Sequence, residues 1–186
     1  MTFSYNPATT DAGNARRLRK DQYEFYSNWY HVVIRSLIDL YPDISDYSKL
    51  AAMVHPPIRP KQAQKSVELL ERLGLIEKKK DGGYKVSSKI LTTGNEIQSL
   101  AVSHFHLECM ELAAKALKEL PKDRRNISGL TLGISPKACS QICEVIQSCQ
   151  EKILDIAEKD SESDMVYQLN FQLFPVSRIE TVRGKK

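Results

Sequence analysis

Lys61 and Lys65 stand four residues apart, Lys78, Lys79 and Lys80 run together, and Lys85 follows five residues later. Ammonium groups gathered in this way do one kind of chemistry well, neutralisation of a phosphate backbone. Residues 59–94 hold nine basic side chains (Arg59, Lys61, Lys65, Arg72, Lys78, Lys79, Lys80, Lys85 and Lys89) against four acidic ones, a net of +5, while the whole chain is only +4. Residues 135–175 carry three lysines against seven acids, a net of −4, so the positive field is concentrated in one segment. Gln62 and Gln64 lie among these cations, and a glutamine amide can both donate to and accept from an adenine edge. Taken alone, Lys78-Lys79-Lys80 reads as a charged edge strand that discourages aggregation. Joined to Lys61 and Lys65 on a preceding helix, it reads as a phosphate-binding surface. The cations Arg16, Arg17, Arg19 and Lys20 fit a solvated end better than a DNA-binding arm.

The elements that would position these residues follow from local pattern. Tyr47, Leu50, Ala51 and Val54 recur at helical spacing, with Ser45 or Asp46 as N-cap and His55-Pro56-Pro57 as the stop. Pro60 can open a second helix at its first position, Ala63, Val67, Leu70 and Leu73 give it an inward stripe, and Gly74 ends it. A basic hairpin around Asp81, Gly82 and Gly83 follows, with Leu75–Lys80 and Tyr84–Ser88 as its arms. Helix, turn, helix and Lys-rich hairpin in this order predict a winged helix-turn-helix whose recognition helix is Pro60 to Gly74. Tyr23 to Leu40 reads as a helix beneath it, its face formed by Val33, Ile34, Leu37 and Ile38.

Beyond the hairpin, a helix is predicted from Asn95 to Leu120, with an apolar stripe so broad that it implies burial on more than one side. Alternation of Leu130, Leu132 and Ile134 predicts a strand over 127–134, and a helix follows over 136–158. Tyr167, Leu169, Phe171 and Leu173 alternate with polar residues in a strand over 165–174. The fold class is therefore α+β, mainly helical: a winged helix-turn-helix domain followed by a helical and β-α-β C-terminal domain. The expected divisions are a flexible arm (1–22), the winged helix (23–91), a C-terminal α+β dimerisation or regulatory domain (92–177) and a basic tail (178–186). Two strands and one helix leave edges and apolar faces uncovered, so a homodimer held largely by the C-terminal domain is expected.

Other chemistries find little support. The sequence has no phosphate-cradling Gly-rich loop, nucleophile elbow or His-Glu-x-x-His, so an enzyme is not expected, nor a cofactor. His104 and His106 would point to nearly opposite sides of a helix and Cys109 lies beyond them, so no metal site is expected. The cysteines lack Cys-x-x-Cys spacing and suit a reducing compartment. No apolar run approaches the roughly 18 residues of a membrane span, and the first residues do not resemble a signal peptide, which predicts a cytoplasmic protein without membrane contact.

The run Glu68-Leu-Leu-Glu-Arg-Leu-Gly-Leu-Ile76, the hairpin's Gly83-Tyr84, the later Arg125-Asn-Ile-Ser-Gly-Leu-Thr131 and Val166-Tyr-Gln-Leu-Asn-Phe-Gln-Leu-Phe-Pro175 together resemble an uncharacterised bacterial domain family of unknown function. Its members occur as large sets of paralogues regarded as transcriptional regulators. The resemblance covers about residues 23–177. Members commonly extend further at the N-terminus, which implies that this chain is a C-terminal portion. It implies a winged helix joined to a second α+β domain, and it carries no catalytic residues. The expected function is sequence-specific binding of double-stranded DNA. Lys61, Lys65, Lys78, Lys79, Lys80 and Lys85, with Arg59, would bind phosphates, and Gln62 and Gln64 would lie nearest the bases. An effector or protein partner of unknown identity is compatible with this. The alternative is a protein-interaction adaptor whose winged helix does not bind DNA, for which the stiff turn His55-Pro56-Pro57-Ile58-Arg59-Pro60 speaks.

Overall fold

The computed structural model describes residues 16–18, 23–80, 82–87, 91–93 and 95–178. They fall into two units, one made of residues up to 127 with 162–167, the other of 128–161 with the residues from 168 on. The protein is mainly helical.

The first unit begins with β1 (Arg16–Leu18), followed by α1 (Tyr23–Tyr26) and α2 (Trp29–Leu40). The sequence predicts one helix here; Ser27 and Asn28 divide it. Ser27 Oγ donates to the Glu24 carbonyl at 2.7 Å, and Asn28 adopts an extended backbone as the N-cap residue of α2. Small polar side chains that bond locally compete with helix continuation in this way. His31, Ile34, Leu37 and Ile38 form the buried face of α2.

α3 (Tyr47–Met53) starts where Asp46 accepts the amides of Ser48 and Lys49 at 2.7 and 3.3 Å. The His55–Pro56 bond that follows is cis. α4 (Pro60–Leu73) opens on proline and buries Ala63, Val67, Leu70 and Leu73 as expected, together with Ser66 and Leu69. Its end is a Schellman turn. Gly74 sits at φ 67° and donates to Glu71, while the Leu75 amide reaches back to the Leu70 carbonyl at 2.9 Å. Leu70 and Leu75, the apolar pair that accompanies this turn, are both buried.

β2 (Ile76–Lys78) and β3 (Tyr84–Val86) pair antiparallel with Ile76 opposite Val86 and Lys78 opposite Tyr84. Gly82 has φ 98°, a conformation that favours glycine, and the Lys79 amide donates to the Gly83 carbonyl at 2.8 Å. Asp81 lies outside the described residues. Tyr84 donates its amide to the Pro42 carbonyl at 2.7 Å, which fixes the hairpin to the loop before α3. A core of Phe25, Ile34, Ile38, Leu50, Val67, Leu70 and Ile76 joins α1 to α4 with the hairpin.

β4 (Leu91–Thr93) runs parallel to β1, a pairing absent from the sequence reading. α5 (Asn95–Glu119) belongs to the same unit and packs on α1 and α2. Phe105 meets Tyr26 edge-on at 5.8 Å, and Glu108 accepts the Trp29 amide at 2.7 Å. Cys109 is buried, and burial, aided by the neighbouring Glu108 charge, pushes its thiol up to about 11. Among its described side chains α5 is not buried on several sides as expected, since Leu107, Met110 and Leu117 are exposed. The contacts described for α5 are with the short α1 and with α2, which cover part of its stripe.

The second unit contains α6 (Pro136–Lys159), capped by Ser135, whose Oγ accepts the Ala138 amide at 3.2 Å. The strands expected over 127–134 and 165–174 are not formed, and with them the β-α-β unit is lost. Neither segment has a ladder partner among the described residues, and Leu130, Leu132, Leu169 and Leu173 are exposed. Alternation of apolar residues specifies which side chains share a face; a strand also requires a hydrogen-bonded neighbour.

Candidate nucleic-acid interface

The candidate residues divide between α4 and the hairpin. Inward placement of Ala63, Ser66, Val67 and Leu70 turns Lys61, Gln64, Lys65 and Glu68 to solvent, as the period of 3.6 residues requires. Arg59, at the N-cap position, is also exposed. On the hairpin Lys78, Lys80 and Lys85 are exposed, and Lys79 is half-buried. An open groove of about 450 Å³ runs between the starts of α3 and α4, lined by Ser45, Asp46, Tyr47, Ser48, Pro60, Lys61 and Gln64. It joins one candidate phosphate ligand, Lys61, to one candidate base reader, Gln64.

Hydrogen bonds sort the candidates further. Gln62 Oε1 accepts the Arg59 amide at 3.0 Å, so this side chain closes the first turn of α4. Gln64 Nε2 donates to Glu68 Oε1 at 2.9 Å on the exposed face and must leave that partner to pair with adenine. Lys79 Nζ lies 3.2 Å from Asp43 Oδ1, so an anion from the loop before α3 already faces this cation. Arg72, which contributes to the positive segment, pairs with Glu24 at 2.7 Å. Arg59, Lys61, Lys65, Lys78, Lys80 and Lys85 therefore form the main set for an outside anion. Ser45, which the sequence offers only as an N-cap, and Ser48, which nothing in its spacing singles out, enter the site through the groove. Asp43 was equally hidden, because its partner lies 36 residues away.

Two polar contacts, one buried and one half-buried, join elements of the scaffold. His31 Nδ1 lies 2.7 Å from Ser66 Oγ, joining α2 to α4, and burial lowers the His31 pKa to about 4 despite the opposing charge of Glu24. Tyr47 and Tyr84 place their hydroxyls 3.5 Å apart, linking α3 to the hairpin. Burial, with Tyr47 adding to it, raises the Tyr84 pKa.

His104 Nδ1 lies 3.8 Å from Glu108 Oε2, and no group of three or more potential metal ligands occurs among the described residues. Nor is any of their helices long and apolar enough to cross a membrane. Over residues 9–176 the chain matches the family model described as Domain of unknown function (DUF4423). No curated protein and no solved structure matches it.

Proposed function

The chain belongs to the DUF4423 family, and from its own residues we propose that it is a sequence-specific DNA-binding transcriptional regulator built on a winged helix-turn-helix. α3 and α4 are the helix-turn-helix pair, and β2 with β3 is the wing. The observation that carries this reading is the set of exposed cations on two consecutive elements, Lys61 and Lys65 on α4 and Lys78, Lys80 and Lys85 on the hairpin. In this reading α4 enters the major groove with its N-terminal half foremost. Lys61 and Lys65 hold phosphates beside it, and the wing lysines hold the flanking backbone. Gln64 is the one candidate base reader, since Gln62 is engaged in closing the helix. The test is recovery of DNA bound to the protein across its host genome. A small set of enriched fragments supports regulation, and uniform recovery contradicts sequence specificity.

A second reading, a protein-interaction adaptor on the same fold, draws support from the anions that already face part of the basic surface. Asp43 neutralises Lys79, Glu24 pairs with Arg72, and Glu68 stands on the exposed face of α4. Absence of duplex binding at low salt would favour it.

A further inference from the structure

We propose that α6 is the pairing surface for a second copy of this chain. Along it Cys139, Ile142, Ile146, Cys149, Ile153 and Ile156 succeed one another at alternating intervals of three and four residues. That spacing averages 3.5 residues and marks the seam of a coiled coil, in which an identical helix presents an identical stripe. None of the described side chains on α6 is buried: Cys139, Ile142, Ile146 and Ile153 are half-buried and Cys149 and Ile156 exposed, so the stripe has no full partner among the described residues.

Charge fits the same partner. Lys137, Glu144, Glu151 and Glu158 recur every seven residues on the side opposite the seam, and no charged residue occupies a seam position. Asp155 is paired with Lys159 at 2.7 Å. The acids of α6 itself, Glu144, Glu151, Asp155 and Glu158, thus lie off the seam where two copies would meet. A basic partner reading that acidic face would leave the apolar seam open; a second α6 closes it.

The amount of surface is sufficient. Eleven large apolar side chains of this unit are exposed: Ile156 on the seam, Val145 and Leu154 elsewhere on α6, and the other eight in the segments before and after it. At roughly 60–120 Å² of apolar area per fully exposed side chain, and with these about half to two-thirds exposed, each chain offers on the order of 600 Å². Each half of a standard homodimer interface holds roughly 500 Å² of apolar area. The segments flanking α6, which form no strand ladder among the described residues, supply the rest of the interface around the seam.

Sedimentation equilibrium on the whole chain under reducing conditions, at about ten to fifty micromolar, tests the proposal. The expected mass is twice the 21.1 kDa of one chain. Ile146→Asp with Ile153→Asp, or the milder Ile156→Asp alone, should return it to 21.1 kDa, whereas Glu151→Gln on the opposite face should leave the pair intact. The single tryptophan, Trp29, lies in the other unit, and its fluorescence melt reports whether the variants leave that unit folded. An unchanged chain that stays at 21.1 kDa overturns the proposal. So does a double variant that remains paired with its Trp29 melt unaltered.

Discussion

The imidazole of His31 and the hydroxyl of Ser66 meet at 2.7 Å in the interior, both nearly inaccessible to water, and bind α2 to the inner side of α4. Burial favours the neutral imidazole, so the folded pKa of about 4 lies below the ordinary 6.5. The unfolded chain therefore binds the extra proton first as pH falls. This group's contribution is fully present above pH 6.5, declines through the interval below it, and is lost at about pH 4. The full span corresponds to roughly 3 kcal/mol. An NMR titration should find His31 neutral at pH 5.5, and titration near pH 6.5 would contradict this. Ser66→Ala should destabilise the protein by about 1–3 kcal/mol in urea unfolding, because it leaves the imidazole nitrogen unpartnered.

Gly83 permits the close approach of the hairpin to the loop before α3. A Cβ there would overlap the Pro42 carbonyl oxygen, the same oxygen that accepts the Tyr84 amide. Gly83→Ala should cost about 1–3 kcal/mol, since backbone rather than a flexible side chain must move. Gly129→Ala meets nothing within 4 Å and serves as the control for thermal unfolding. Equal melting of the two variants would contradict the packing described for the hairpin.

Asp43 and Lys79 make opposite predictions for DNA. Lys80→Ala should weaken binding to all sequences alike and reduce the salt slope by about 1. Lys79→Ala should do less, because Asp43 already faces that cation. Asp43→Ala should strengthen binding by releasing it. Fluorescence anisotropy with a random duplex reads all three, and weaker binding by Asp43→Ala would remove Lys79 from the interface.

The two glutamines should separate in the same assay. Gln64→Ala should cost about 1–3 kcal/mol on the true operator and little on random DNA. Gln62→Ala should instead cost about 1 kcal/mol of stability through the start of α4, with equal effects on both DNAs. Equal losses on operator and random DNA for Gln64→Ala would make it a bystander.

Much of α3, α4 and the hairpin was legible because their punctuation is steric and local. Pro60 lacks the amide that a first helical turn does not use, and Gly74 and Gly82 take positive φ where their sequence context asks for it. The Ser27-Asn28 break was also encoded in residue types that favour helix caps, and aromatic periodicity across it obscured them. Contacts between distant positions were not legible. The 2.7 Å bond of His31 to Ser66, the pairing of Asp43 with Lys79 and the register of β1 on β4 depend on chain topology. The bond from the Arg59 amide to Gln62 Oε1 was not legible for a local reason, since Arg59 is not among the residues that announce a capping box. In 127–134 and 165–174 alternation was read correctly as a pattern, but pattern supplies no partner strand.

The most direct test of the central claim is a titration of duplex DNA affinity against salt, using promoter fragments and a random duplex of the same length. With about five phosphates neutralised by α4 and the hairpin, log affinity should fall with log salt at a slope of about −4 to −5. One fragment should remain bound most tightly at every salt concentration. Affinity independent of salt, or no binding to any duplex at about 50 mM salt, would contradict the assignment of this surface to DNA.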